Sequence, residues 1–155
     1  MIDPLVRPAS PADADELGRL EVAARLALRE QRGGARWLEE HPPHHPLWLH
    51  DGGRRVFVAD LDGCPVGYLV LDLDRVATVE SVYVDPEARE VGFGDALLDI
   101  ARRTAVEFGA TLLEGTALPG DRETKNLYER AGITARSITV SVVLNDPSSS
   151  APASR

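Results

Sequence analysis

The segment Val79 to Leu98 constrains the fold more than any other part of the chain. It reads as a strand, a short turn, a glycine-punctuated loop and the first turn of a long amphipathic helix. Gly92 and Gly94 carry no Cβ, so the backbone there can bend sharply and approach a ligand closely. The helix that follows leaves its first N–H groups outside its own hydrogen-bond ladder and carries a partial positive charge at that end. Such an arrangement suits a phosphate or pyrophosphate.

Two common phosphate loops fail to match. A dinucleotide fingerprint would need a third glycine where Leu97 stands, and the Gly-Lys-Ser/Thr of a Walker loop does not occur. The segment resembles instead the signature of the GNAT N-acetyltransferase superfamily. The matching residues are Val84-Asp85-Pro86, then Arg89-Glu90-Val91-Gly92-Phe93-Gly94 in the place of Arg/Gln-x-x-Gly-x-Gly/Ala. Downstream, Asn126-Leu127-Tyr128-Glu129-Arg130-Ala131-Gly132-Ile133 is similar to the family's Leu-Tyr-x-x-x-Gly-Phe element. Two motifs in the family's order, roughly 30 residues apart, are more specific than either alone. The resemblance covers most of residues 5–144, with sharp motif content in 79–98 and 121–133.

A chain of 155 residues is one domain of ordinary size. Residues 1–144 are expected to form it, with a disordered tail over 145–155, rich in Ser, Pro and Ala. Net charge −8 argues against general nucleic-acid binding, which needs a basic face, and suits a cationic partner such as an amine. It also disfavours an acetyltransferase toxin acting on aminoacyl-tRNA. A local basic patch could still serve an anionic cofactor: Arg89, Arg102 and Arg103 are candidates, the last two reading better as a solvated helix face. Cys64 is the only cysteine, which excludes an internal disulfide and a cysteine-built metal site. No apolar run of transmembrane length and no signal pattern is present, so no membrane role and a cytoplasmic location are expected.

The layout predicts a mixed α/β (α+β) fold: a mostly antiparallel sheet of six to seven strands with helices on both faces. Leu5-Val6-Arg7 reads as a first strand. Ser10-Pro11-Ala12-Asp13 opens a helix whose Leu17, Leu20, Ala24 and Ala27/Leu28 recur at helical spacing. Gly33-Gly34 ends it, and residues 35–40 form a second short helix. Residues 41–53 hold three prolines and two glycines and read as a surface loop. Its histidines (His41, His44, His45, His50) lack a partner at a recognised ligand spacing, so no metal is expected. Strands at 55–59 and 65–71 flank the hairpin signal Asp60-Leu61-Asp62-Gly63, and a third runs over 77–84. The helix over about 92–108 aligns Phe93, Leu97, Ile100, Ala101, Thr104 and Phe108. A buried strand over 111–116 then makes a parallel crossover. A helix over about 121–131 follows, and Ile138, Val140, Val142 and Leu144 alternate as a last strand. That strand would sit in its own sheet or pair across a homodimer.

The resemblance implies acetyl transfer from acetyl-CoA to a primary amine by direct attack in a ternary complex. It implies that Val82, Tyr83 and Val84 line the pantetheine arm, two of them through exposed backbone groups, with one N–H near Val82 facing the acetyl oxygen. The pyrophosphate would rest on N–H groups of Arg89, Val91, Gly92, Phe93, Gly94 and Asp95. Tyr128 stands where the family's proton donor to the departing thiolate stands; it also reads as an amphipathic tyrosine on one side of a helix. Glu80 is the candidate general base and Glu114 the reserve; either equally reads as a solvated strand glutamate. Strand alternation does not decide the matter, because a bulge would exchange the faces. Trp37 and Trp48 read as packing residues of a lid or as acceptor contacts. Glu90, Asp95 and Asp121 depart from the family pattern by putting acidic groups near the cofactor, Asp121 where asparagine commonly contacts its arm. They keep open a second reading, a non-catalytic acyl-CoA sensor or interaction module. The acceptor, a small molecule or a peptide, is not legible in the chain.

Overall fold

The computed structural model describes residues 5–44, 52–142 and 144. Its centre is a five-stranded sheet in sequence order: β1 (Leu5–Pro8), β2 (Arg54–Leu61), β3 (Cys64–Asp72), β4 (Val76–Val84) and β5 (Leu112–Gly115). The first four are antiparallel neighbours, and β5 joins β4 in parallel after the crossover helix α3 (Phe93–Phe108). Helices α1 (Ala14–Arg29) and α2 (Gly34–Glu40) precede β2, and α4 (Arg122–Arg130) follows β5.

Strand alternation sorts side chains to two cores. Phe57, Ala59, Leu69, Leu71, Ala77 and Val79 meet Phe93, Leu97, Leu98, Ala101 and Ala105 of α3 and Leu127 and Tyr128 of α4. Val56, Val58, Tyr68 and Val70 point to the other face, where Leu17, Leu20 and Ala24 of α1 cover them. The helices therefore cover both faces, as expected. On α3 the buried stripe runs through Leu98 and Ala105, and Phe108 is exposed at the helix end. The β2–β3 hairpin turns through Asp62 and Gly63, both at positive φ, the geometry a tight two-residue hairpin requires.

Arg7 ties β1 to the start of α1 and to β2. Its guanidinium donates to Asp13 at 2.8 and 2.9 Å and to Asp60 at 2.9 Å, and both carboxylates are buried. The Asp13 carboxylate also accepts the Ser10 N–H at 2.8 Å, which fixes the predicted helix start. Hydrogen bonding from Arg7 holds the Asp13 carboxyl below its ordinary value. A depressed folded-state value means a contribution fully present above the unfolded value of about 4 and lost as pH falls through the folded one. Thermal melts taken from pH 6 down to pH 3 are expected to fall, with the loss beginning below about pH 4.

The count of six to seven strands is corrected to five among the described residues. Residues 133–142 pair with no strand, and Ile138, Val140, Val142 and Leu144 are exposed. Period-two alternation marks a face, but a strand exists only where a neighbour accepts its hydrogen bonds. Here Arg36 of α2 donates to Ser141 Oγ at 2.8 Å, which draws the segment toward α2 rather than along β5. The tail 145–155 lies outside the described residues. No helix among the described residues is long and apolar enough to cross a membrane.

Candidate active site

Strands β4 and β5 pair only from Val76–Leu112 to Val79–Gly115. Beyond that point Glu80–Val84 keeps β3 on one side and opens on the other into a cleft of about 1160 Å³. The opening coincides with a bulge. Val70 pairs with Ser81 and Leu71 with Val79, so Glu80 is an extra residue in β4. The bulge resets the alternation. Ala77 and Val79 before it, and Val82 and Val84 after it, face the α3 core. Glu80 and Ser81 both turn toward α1, where Ser81 Oγ meets the Tyr68 hydroxyl at 3.0 Å.

One end of the cleft is the glycine loop. Gly92, at φ 96, caps α3, and the first backbone bond into the helix is Ala96 N–H to Gly92 O at 3.0 Å. The N–H groups of Phe93, Gly94 and Asp95 therefore precede the ladder and border the cleft. Phe93 contributes backbone alone, since its ring is buried in the core. Gly94 packs closely: a Cβ there would stand 3.0 Å from Leu127 Cδ1, which would have to give by a few tenths of an ångström. Arg89 also borders the cleft. Its N–H serves the turn at Pro86, at 3.4 Å. Its side chain donates to Val84 O at 2.9 Å, pairs with Glu123 at 2.5 Å and lies over the Tyr83 ring at 5.5 Å. It shapes the loop and joins it to α4.

The acidic departures resolve differently. Asp95 pairs with Arg130 at 3.1 Å, which offsets its charge. Asp121 caps α4, accepting Thr124 N–H at 3.1 Å and Thr124 Oγ1 at 2.7 Å. Glu90 is exposed at the cleft with φ 70, a left-handed backbone that a side chain disfavours. Glu90→Gly is expected to relieve that strain, about 1–2 kcal/mol, against an entropic cost of about 0.5–1 kcal/mol. Melting temperature should stay level or rise slightly.

Tyr128 reaches the fork itself. Its ring is buried, and a Cβ on Gly115 would stand 2.2 Å from its hydroxyl, so only glycine leaves room at the end of β5. The hydroxyl has no hydrogen-bond partner among the described residues, although buried phenols usually find one. Burial, with Asp121 adding to it, pushes the phenol well above its ordinary value. It therefore stays protonated at neutral pH and remains a donor.

Glu80 lies at the cleft's other end with Glu21, Trp37, His41 and His44. Arg54 Nε donates to Glu80 Oε2 at 2.7 Å, and His44 Nε2 is 3.7 Å from the same oxygen. Trp37 stacks on His41 with ring centroids 3.6 Å apart and borders the cleft. Glu114 is exposed and does not line the cleft. Arg102 and Arg103 also lie away from it, bonded to Ala131 O and to Asp99. Trp48, His45 and His50 lie outside the described residues. Among the described residues no group of three His, Cys, Asp or Glu side chains could hold a metal ion. Glu21 carries no motif, and its one signal in the sequence is a carboxylate four residues after Leu17, inside the apolar stripe of α1.

A sequence model of the acetyltransferase (GNAT) family matches residues 21–133. No curated protein matches the chain significantly. Solved structures do. A ribosomal-protein-alanine N-acetyltransferase from Brucella melitensis superposes with a TM-score of 0.66 at 22% identity, over 94% of this chain and 100% of the other. An aminoglycoside N-acetyltransferase in complex with CoA gives 0.67 at 18% identity, over 90% and 99%. A transcriptional regulator from Bacillus halodurans gives 0.70 at 20% identity, over 91% and 99%. At these identities the likeness concerns the fold.

Proposed function

Because the chain belongs to the GNAT acetyltransferase family, we propose that it transfers an acetyl group from acetyl-CoA to a primary amine within a ternary complex. The observation that carries this reading is the Tyr128 hydroxyl: buried, protonated, without a partner among the described residues, and set at the fork of β4 and β5. A thioester sulfur at that fork would give the phenol the acceptor it lacks.

The pyrophosphate is assigned to the N–H groups from Val91 to Asp95, where the α3 dipole favours an anion. Val82 and Val84 lie on the open edge of β4 and can pair with the amide groups of the pantetheine arm, as an added strand would. A β4 N–H near Val82 stabilises charge on the acetyl oxygen as the amine adds. Tyr128 donates a hydrogen bond to the sulfur as the carbon–sulfur bond breaks and negative charge gathers there. Counted from its ammonium form, the nitrogen loses two protons overall; the sulfur gains one, and the other leaves to solvent. Holding the reactants in register supplies much of the acceleration.

The test is release of free thiol from acetyl-CoA with a panel of n-butylamine, spermidine, L-lysine, an aminoglycoside and an alanine-terminated peptide. At least one is expected to raise the rate above the amine-free background. A flat panel, despite tight acetyl-CoA binding, would favour the sensor reading. Gly115→Ala carries a second prediction. Its methyl displaces the Tyr128 hydroxyl, so turnover should fall by about tenfold or more, in the range of a misplaced proton donor. Circular dichroism should be unchanged, because Gly115 sits at an exposed strand end.

A further inference from the structure

The acceptor end of the cleft holds a second acid–base group that the family motifs do not mark. His44 donates its backbone N–H to Glu21 Oε2 at 2.8 Å, and its Nδ1 lies 3.2 Å from the same oxygen. Glu21 is 4% exposed, fixed on α1 beneath the cleft. A carboxylate only accepts hydrogen bonds, so Nδ1 carries the proton and, in the neutral ring, Nε2 is the basic nitrogen. Nε2 faces Glu80 Oε2 at 3.7 Å, too far for a direct hydrogen bond. In that tautomer Nε2 turns its lone pair toward the Glu80 side of the cleft, and an incoming ammonium, with several N–H groups, can donate to both. Glu80 Oε2 already accepts from Arg54, which holds that carboxylate in place.

We propose that His44, oriented by Glu21, takes the proton from the incoming ammonium, while Glu80 anchors that cation. This inference rests on the acetyl-transfer reading and puts His44, rather than the candidate Glu80, in the place of the base. The ammonium gives one N–H proton to His44 Nε2, leaving a neutral amine and an imidazolium. The amine lone pair forms the C–N bond at the thioester carbonyl, and the C–S bond breaks as the nitrogen sheds its second proton. One proton ends on the sulfur and the other passes from His44 to solvent. An ammonium with an ordinary value of about 10.4 arrives protonated, so this step precedes attack.

The pH dependence of such a histidine is set by the groups around it. Among the described residues these are Glu21 of α1 and Glu80 of β4, with Arg54 of β2 behind Glu80, while Arg25, His41 and Tyr68 line the same cleft.

The test combines nitrogen NMR with kinetics on the full chain. In protein labelled with ¹⁵N-histidine, the resonance absent from His44→Gln identifies His44. It is expected to show the Nδ1–H tautomer, and its Nε2 should shift on adding n-butylammonium chloride. Glu80→Gln should weaken that titration by about tenfold, as losing the anionic partner implies, and Glu21→Gln should alter the tautomer balance. With an amine that turns over, His44→Gln should lower kcat/KM about 100-fold at pH 7. The deficit should shrink toward pH 10, where the amine deprotonates unaided. Glu80→Gln should act mainly on KM.

An Nε2–H tautomer, an unmoved His44 resonance with butylammonium, or wild-type rates and pH profile in His44→Gln would overturn the proposal. Acetyl-CoA titration of the same samples separates the two readings. Loss of cofactor binding in the wild type speaks against acetyl transfer, whereas intact binding with an inert His44 speaks against this inference alone.

Discussion

Tyr128→Phe is expected to lower kcat by about 10²–10⁴-fold, the range for a lost general acid, while acetyl-CoA affinity stays within a few-fold of wild type. The hydroxyl has no protein partner among the described residues, so its removal breaks no hydrogen bond of the fold. The ring keeps its place against the α3 core. Stability should therefore hold or rise slightly, because a buried polar group without a protein partner is removed. Stopped-flow thiol release with a productive amine gives the rate, and calorimetry gives the affinity. A tyrosine that only packed would leave kcat unchanged, and one that held the cofactor would show its loss in binding. A fall in kcat at constant affinity marks an interaction made in the transition state.

Arg7→Met is expected to destabilise the fold by about 3–5 kcal/mol, the usual cost of stripping one partner from a buried ion group. Asp13 and Asp60 are 6% and 7% exposed, and the arginine serves both at once. Methionine keeps much of the side chain's length without its charge, so the loss falls on two carboxylates left without their cation. Urea melts should show the midpoint dropping at a similar slope. The acid response changes as well. In the wild type, acid weakens the fold by protonating Asp13, whereas in the variant protonation relieves a buried charge, so the trend below about pH 4 should flatten or reverse. The loss should track stability alone, since Arg7 lies outside the cleft.

The parts of the fold that were legible in the sequence are those set by local rules. The hairpin at Asp62-Gly63, the helix start at Ser10–Asp13 and the glycine cap of α3 each rest on a few adjacent residues. The position of Tyr128 came from the family motif, and the geometry at Gly115 gives it a physical reason. What escaped depends on long-range partners. Ile138, Val140, Val142 and Leu144 alternate like a strand, but alternation does not tell whether a neighbour is present. The face of Glu80 turned on a single bulge, which no pattern in β4 announces. Glu21 and His44 are 23 positions apart, and only the packing of α1 beneath the cleft brings them together. The Arg89 side chain was hidden for the same reason, since its partner Glu123 comes from α4.

In the proposed function the open edge of β4 and the glycine loop together hold acetyl-CoA. Calorimetric titration of the wild type and of Gly92→Trp, each checked by circular dichroism, tests it most directly. Micromolar binding, about −8 kcal/mol, is expected in the wild type and should disappear when the indole fills the loop of a folded variant. No binding by the folded wild type, or equal binding by both proteins, would contradict it.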